Sequence, residues 1–290
     1  MRPAALGKRG AAAAEWPTPG HYLGSQGNEK MDEPRTLAID IGGTGIKAAL
    51  LDDAGSLIGE RQRVPTPPKP VTPEDLVRAI DQVASPLGTF ERVSVGFPGY
   101  VRDGRVVTAP NLGTDALAGF DLQSVLAEHL GKPVRVLNDA DVQGFGAIRG
   151  QGVEMVLTLG TGAGTALFRD GEIMPHLELA HHPVSGNKTY EEYVGNAARR
   201  KKGKKAWNKR VAKVIDILRE VVRFDHLYIG GGNAKDITFP LPPDVTIVPN
   251  TDGLTGGIRL WRKDPTAYAA ADLPSGAAAD GVPETGPAPA

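Results

Sequence analysis

From Arg35 onward the chain alternates apolar and polar positions in short runs that read as strands: RTLAIDI (35–41), GIKAALL (45–51) and SLIGERQ (56–62). A proline-rich loop over 65–73 follows, and Thr72-Pro73-Glu74 opens a helix over about 73–85. Strands over 92–97 and 105–108, a helix over 120–130 capped by Asp121, and a strand over 133–138 complete this half. The opening theme then returns, with strands over 154–160, 164–170 and 172–175. Helices over 189–197 and 203–223, strands over 226–231 and 245–249, and a last helix from about Thr255 to Arg262 follow. Two successive hairpin-plus-αβ halves predict an α/β protein of two lobes, 34–140 and 141–264, with a cleft between them.

The two ends break this pattern. Residues 1–33 and 265–290 are rich in Ala, Gly and Pro, with few side chains able to fill a core. They read as disordered tails, and the change of pattern makes Met31 a candidate for the true start. Removing residues 1–30 and 265–290 accounts for much of the proline, yet 29 of the 37 glycines stay in the remaining segment. The chain has no cysteine, which excludes a disulfide framework, a Cys-ligated metal and a thiol nucleophile. It also has no apolar run of the roughly 18 residues needed to span a bilayer, so a cytoplasmic protein without membrane partners is expected. The net charge of −1 offers no general attraction for nucleic acid. Nine basic residues and no acidic one nevertheless lie between Arg199 and Lys213.

Three glycine clusters sit at strand ends. In IDIGGTGIK, Gly42, Gly43 and Gly45 let backbone N–H groups approach an anion, Thr44 adds a hydroxyl, and Lys47 adds a positive charge. Asp40 could hold Mg²⁺ through water, since magnesium takes carboxylate, water and phosphate oxygens. A plain tight hairpin turn would explain this segment equally well. The second cluster, LTLGTGAGTAL, repeats the arrangement with Gly160, Thr161, Gly162 and Gly164. Two such hairpins at matching positions would grip a phosphate chain from both sides of a cleft. The third, Gly230, Gly231, Gly232 and Asn233, would let a flat ring or ribose lie against bare backbone. Between the first two lies VLNDAD, where Asp139 at a strand end suits a general base for an attacking hydroxyl. Asn138 or Asp139 could equally be the cap of the next helix.

DIGGTG, GFPGYV (96–101), APNLG (109–113), LNDAD, LTLGTGAG and YIGGG occur in an order and spacing that resemble the ROK family of kinases and repressors, most of all its polyphosphate glucokinases. The resemblance covers about residues 35 to 262. It implies a two-lobed actin-like (ribonuclease H-like) ATPase fold and a sugar kinase, with polyphosphate or ATP as donor and Mg²⁺ as cofactor. It further implies Asp139 as the base for the sugar 6-hydroxyl, and Asn111, Asn138, Glu178 and His181 as contacts to glucose or a related hexose. A homodimer is also implied. Most ROK kinases follow this histidine with a three-cysteine zinc cluster; HHPVSGNKTYEEY has none, so no zinc is expected. Arg199, Arg200, Lys201, Lys202, Lys204 and Lys205 read either as a solvated helix start or as a groove for a polyanion such as polyphosphate. No helix-turn-helix module precedes the β-pattern, so a nucleic-acid partner is not expected. The alternatives are an ATP-dependent hexose or amino-sugar kinase and, in another class, a sugar-binding regulator without turnover.

Overall fold

The structure is a computed structural model and describes residues 34–249 and 252–261. The tails expected at either end, and the close of the last helix at Arg262, lie outside the described residues.

The first half builds a five-stranded sheet from β1 (Thr36–Ile41), β2 (Ile46–Leu51), β3 (Leu57–Val64), β4 (Arg92–Phe97) and, after a hairpin of β5 (Val101–Arg102) and β6 (Arg105–Val106), β7 (Val134–Asn138). Its order is β3-β2-β1-β4-β7, antiparallel through the first three strands and parallel from β1 to β7. β1 is buried along almost its whole length, as an inner strand covered on both faces must be. β3 is largely exposed and carries Glu60, Arg61 and Arg63, which suits a sheet edge.

Three helices serve this sheet: α1 (Pro73–Ala84), the single turn α2 (Thr114–Leu117) and α3 (Leu122–Leu130). Thr72 accepts from the Asp75 N–H to start α1, and Asp121 accepts from the Ser124 N–H to start α3, as the sequence pattern predicts. α4 (Asp139–Ala147) then leaves β7 directly, capped by Asn138.

The second half repeats the plan. β8 (Val153–Leu159), β9 (Ala163–Arg169) and β10 (Glu172–Ile173) form the antiparallel part, β11 (Pro183–Ser185) and β12 (Lys188–Thr189) a side hairpin, and β13 (His226–Gly230) and β14 (Val245–Ile247) the parallel part. The sheet order is β10-β9-β8-β13-β14. Between β12 and β13 run α5 (Tyr190–Val194), α6 (Asn196–Lys202) and α7 (Lys204–Val222). The single helix expected over 189–197 is broken at Gly195, where a Cβ would lie 2.6 Å from the Glu191 carbonyl oxygen and 2.8 Å from that of Thr161. α7 buries Trp207, Val211, Val214, Ile215 and Leu218 against the sheet.

The last segment departs from the sequence reading. Instead of a helix from Thr255, a helical turn α8 (Asp252–Thr255) leads into 3₁₀ turns over Gly256–Trp261. These residues pack on the first sheet, not the second: Leu254 and Ile258 join Ala38, Ala49 and Leu51 in a small core. The Ser94 hydroxyl donates to the Gly257 carbonyl (2.7 Å) and accepts from the Trp261 indole N–H (2.9 Å). Gly256 fits because a Cβ there would collide with the Val142 carbonyl of α4. Helix α4 is therefore held between both sheets and the C-terminal segment, with its first turn at the junction of the halves.

Candidate active site

The two halves share a cleft of about 180 Å³. Gly42, Gly43 and Asn111 line it from the first half, and Gly160, Thr161, Gly162, Gly164, Glu178 and His181 from the second, with Asn138 and Asp139 between them. Both glycine hairpins thus reach one cavity, although their glycines lie more than a hundred residues apart.

Asp139 is the first residue of α4, and its Oδ1 accepts from the Ala140 N–H at 2.8 Å. Burial, and after it the charge of Asp40, raise the Asp139 carboxyl to about 7 against that hydrogen bond. A carboxylate with that affinity for a proton is a better base than a solvated one. Asn138 is buried and engaged on both sides of its amide: Oδ1 accepts from the Ala140 N–H (2.8 Å), and Nδ2 donates to the Gly99 carbonyl (3.0 Å). It caps the helix and also ties the Pro98–Gly99 wall of the cleft to it.

The first hairpin closes through Gly42 N–H to the Gly45 carbonyl at 3.0 Å, and the Thr66 hydroxyl donates to the Gly42 carbonyl at 2.6 Å. A Cβ at Gly45 would meet the Arg63 guanidinium at 2.7 Å, so this glycine makes room for Arg63. Lys47 donates to Asp40 at 2.9 Å. Thr44, Gly45, Lys47 and Asp40 are not among the residues lining the cleft.

The second hairpin is held from its own half. The Asn196 N–H donates to the Gly160 carbonyl at 3.0 Å, and so does Asn233 Nδ2 at the same distance. Gly160 has open space where a Cβ would go, whereas a Cβ at Gly164 would be 2.7 Å from the Thr158 hydroxyl. The third glycine cluster supports this hairpin. Gly231, at φ +84°, sits where a Cβ would be 2.5 Å from the Leu159 carbonyl oxygen, and a Cβ at Gly230 would collide with the Gln143 amide. Gly232 has open space beside it.

The basic stretch divides. Arg199 and Lys204 pair with Asp236, Lys204 at 3.3 Å, while Arg200, Lys201, Lys202 and Lys205 stand exposed. Arg200, Lys201 and Lys202 belong to α6, which starts at Asn196, whose backbone N–H is bonded to the second hairpin, and Lys205 belongs to the start of α7.

Several residues of the site escape sequence reasoning. Pro98, Gly99, Pro110, Thr158, Ala163, Ala180 and Glu191 also line the cleft. His176 lies behind Glu178, with Nδ1 3.2 Å from both carboxylate oxygens of Asp141. Nothing in the local sequence marks that pair, since its members stand 35 positions apart.

A ROK family model matches residues 36–178. The polyphosphate glucokinase of Mycobacterium tuberculosis is 33% identical over 246 residues, spanning 79% of this chain and 92% of that protein. The chain belongs to the ROK family. The inorganic polyphosphate/ATP-glucomannokinase of Arthrobacter sp. strain KM superposes with a TM-score of 0.70 at 32% identity, covering 79% of this chain and 98% of that one. A ROK family glucokinase from Streptomyces griseus, at 21% identity, shares the fold with a TM-score of 0.63 over 78% of this chain and 98% of that one. The paired five-stranded sheets are thus the actin-like ATPase fold of ROK sugar kinases.

Proposed function

We propose that this ROK protein is a cytoplasmic sugar kinase that transfers a phosphoryl group from inorganic polyphosphate, with ATP as a second donor, to the 6-hydroxyl of glucose. The observation that carries the reading is the meeting of two glycine hairpins and Asp139 in one cleft. The likeness to the mycobacterial polyphosphate glucokinase and the Arthrobacter glucomannokinase supports the donor and the sugar class, and brings mannose in as a second acceptor to test.

In this reading Asn111, Glu178 and His181 bind ring hydroxyls, each of which both donates and accepts. Asn138 keeps the cleft wall and α4 in register. Asp139 accepts the proton of the 6-hydroxyl as that oxygen attacks phosphorus, while backbone N–H groups of the two hairpins face the donor phosphates. Closure of the two lobes keeps water from competing for the same base. Gly232 is the position of the third cluster left open to a nucleotide.

Mg²⁺ fits as an ion carried in with the donor. Among the described residues no group of three or more His, Cys, Asp or Glu could cage a metal. Yet Asp139, Glu178 and Glu191 line the cleft and Asp40 acts on Asp139, a concentration of negative charge that disfavours a bare polyanion. Asp40 would hold the ion through water, and the ion would supply charge neutralisation on the phosphates. Polyphosphate reaches the exposed Arg200, Lys201 and Lys202 along α6, and Lys205 at the start of α7; at 1.5 Å per residue, Lys202 stands about 9 Å along the axis from Asn196. The functional unit is a homodimer, with neither nucleic acid nor membrane as partner.

The test is a side-by-side assay of purified protein with glucose or mannose, Mg²⁺, and either polyphosphate or ATP. Hexose 6-phosphate from polyphosphate is the expected product. Product from ATP alone would move the protein to the ATP-dependent kinases, and none from either donor would overturn the kinase reading.

A further inference from the structure

His176 belongs to the loop between β10 and β11 that also carries Glu178 and His181. Its ring is fixed on three sides. Nδ1 faces Asp141, whose side chain is buried in the first turn of α4, with 3.2 Å to each carboxylate oxygen. Nε2 is turned toward Glu178 Oε2 at 3.7 Å, and this buried nitrogen has no hydrogen-bond partner of its own. The ring face stacks on Tyr100 at 5.5 Å between centroids and 16° between planes. The Arg102 guanidinium lies over Tyr100, 5.6 Å from its ring centre, and its Nε donates to the phenol oxygen.

Two carboxylates face opposite nitrogens of one ring. A neutral imidazole has a single N–H and could serve only one of them, leaving the other nitrogen's lone pair against a carboxylate. An imidazolium serves both: burial raises the Asp141 carboxyl, and the contact with His176 is what opposes that rise and favours the buried carboxylate. Burial alone would lower His176, but Asp141 and Glu178 outweigh it and raise the ring to about 10. The same contact with His176 holds Glu178 below its ordinary value, against the effect of burial.

We propose that His176 is a positioning residue: as an imidazolium between Asp141 and Glu178, it latches the sugar-facing loop to α4 and aims Glu178 at the sugar. The helix it latches to begins with Asp139, so one ring sets the distance between the base and the sugar-binding carboxylate. This proposal rests on the reading of the cleft as a sugar site.

Its test has two parts. In protein with ¹⁵N-labelled histidine, both His176 ring nitrogens should carry protons at pH 8, where an unperturbed imidazole (about 6.5) is neutral; a neutral ring would overturn the clamp. This measurement uses the unmodified chain and needs neither turnover nor a folded variant. Second, His176→Gln should raise the glucose KM about tenfold while kcat falls less than about threefold. The same substitution in a Glu178→Gln background should add little, because the ring acts through that carboxylate. An unchanged KM, or losses that simply multiply in the double variant, would overturn the assignment. Glucose affinity by calorimetry gives the same comparison without a donor. Absence of turnover with every donor would therefore remove the kinase reading while the latch is still decided.

Discussion

The two glycine hairpins look alike in sequence and are built differently. The first, between β1 and β2, is charged: Asp40 pairs with Lys47 across the strands, Gly45 yields its space to Arg63 of β3, and Thr66 holds the Gly42 carbonyl. The second, between β8 and β9, has no charged residue from Thr158 to Thr165 and is held from outside, by Asn196 and Asn233 bonded to the Gly160 carbonyl. Their glycines therefore do different work. Gly45 and Gly164 relieve crowding, whereas Gly160 leaves bare backbone facing the cleft. The lesson is that a shared motif predicts a shared backbone path, while the surrounding side chains decide whether a glycine serves packing or ligand approach.

Asp139 lies between the hairpins, and its removal should have the largest effect. Asp139→Asn should lower kcat by about 10³-fold with glucose binding retained, as calorimetry beside steady-state kinetics will show. Asp40→Asn probes the charge of the first hairpin: activity should fall about a hundredfold if Asp40 orders the donor's magnesium. The remaining activity should lose its acid limb at a lower pH than the parent, because Asp40 raises Asp139. In the parent, kcat/KM should rise with pH through about 7 as Asp139 ionises. Stability runs the other way. The folded chain keeps this proton up to about 7 and the unfolded chain only to about 3.8, so the folded state binds more protons in between. Denaturant titrations should show this contribution declining from pH 4 to pH 7 on the same scale.

Smaller effects separate packing from approach. Gly160→Ala should raise the donor KM about tenfold with an unchanged thermal midpoint, since the new methyl meets only the cleft. Gly164→Ala should instead cost about 1–3 kcal/mol in chemical denaturation, through the clash with Thr158 and Ala140. Equal behaviour of the two variants would erase the distinction. Neutralising Arg200, Lys201, Lys202 and Lys205 together should weaken polyphosphate use several-fold at low salt and leave ATP use nearly unchanged. Arg199 is left intact in that variant because it pairs with Asp236.

Much of the frame was legible along the chain. The start signals at Thr72 and Asp121 and the strand patterns of both sheets are local, set by side chains within a few positions of one another. The last described segment was not. Gly256 and Gly257 look like helix breakers or a loose turn, and only their close approach to Val142 and Ser94 explains why 3₁₀ turns form there and return to the first sheet. The basic stretch shows the same limit: Arg199 and Lys204 look as free as their neighbours until Asp236 is brought beside them.

For the candidate site, the sequence alone determined where the glycine turns fall and where a carboxylate would end a strand, because glycine and strand-end positions act locally. It also placed Asn138 and Asp139 at the start of a helix. Tertiary structure decided the rest: that both hairpins share a cleft, that the third glycine cluster braces the second hairpin, and that His176 meets Asp141 across 35 positions. Charge and burial act through space, so the proton affinity of Asp139 depends on Asp40, which β1 and not the local sequence brings near.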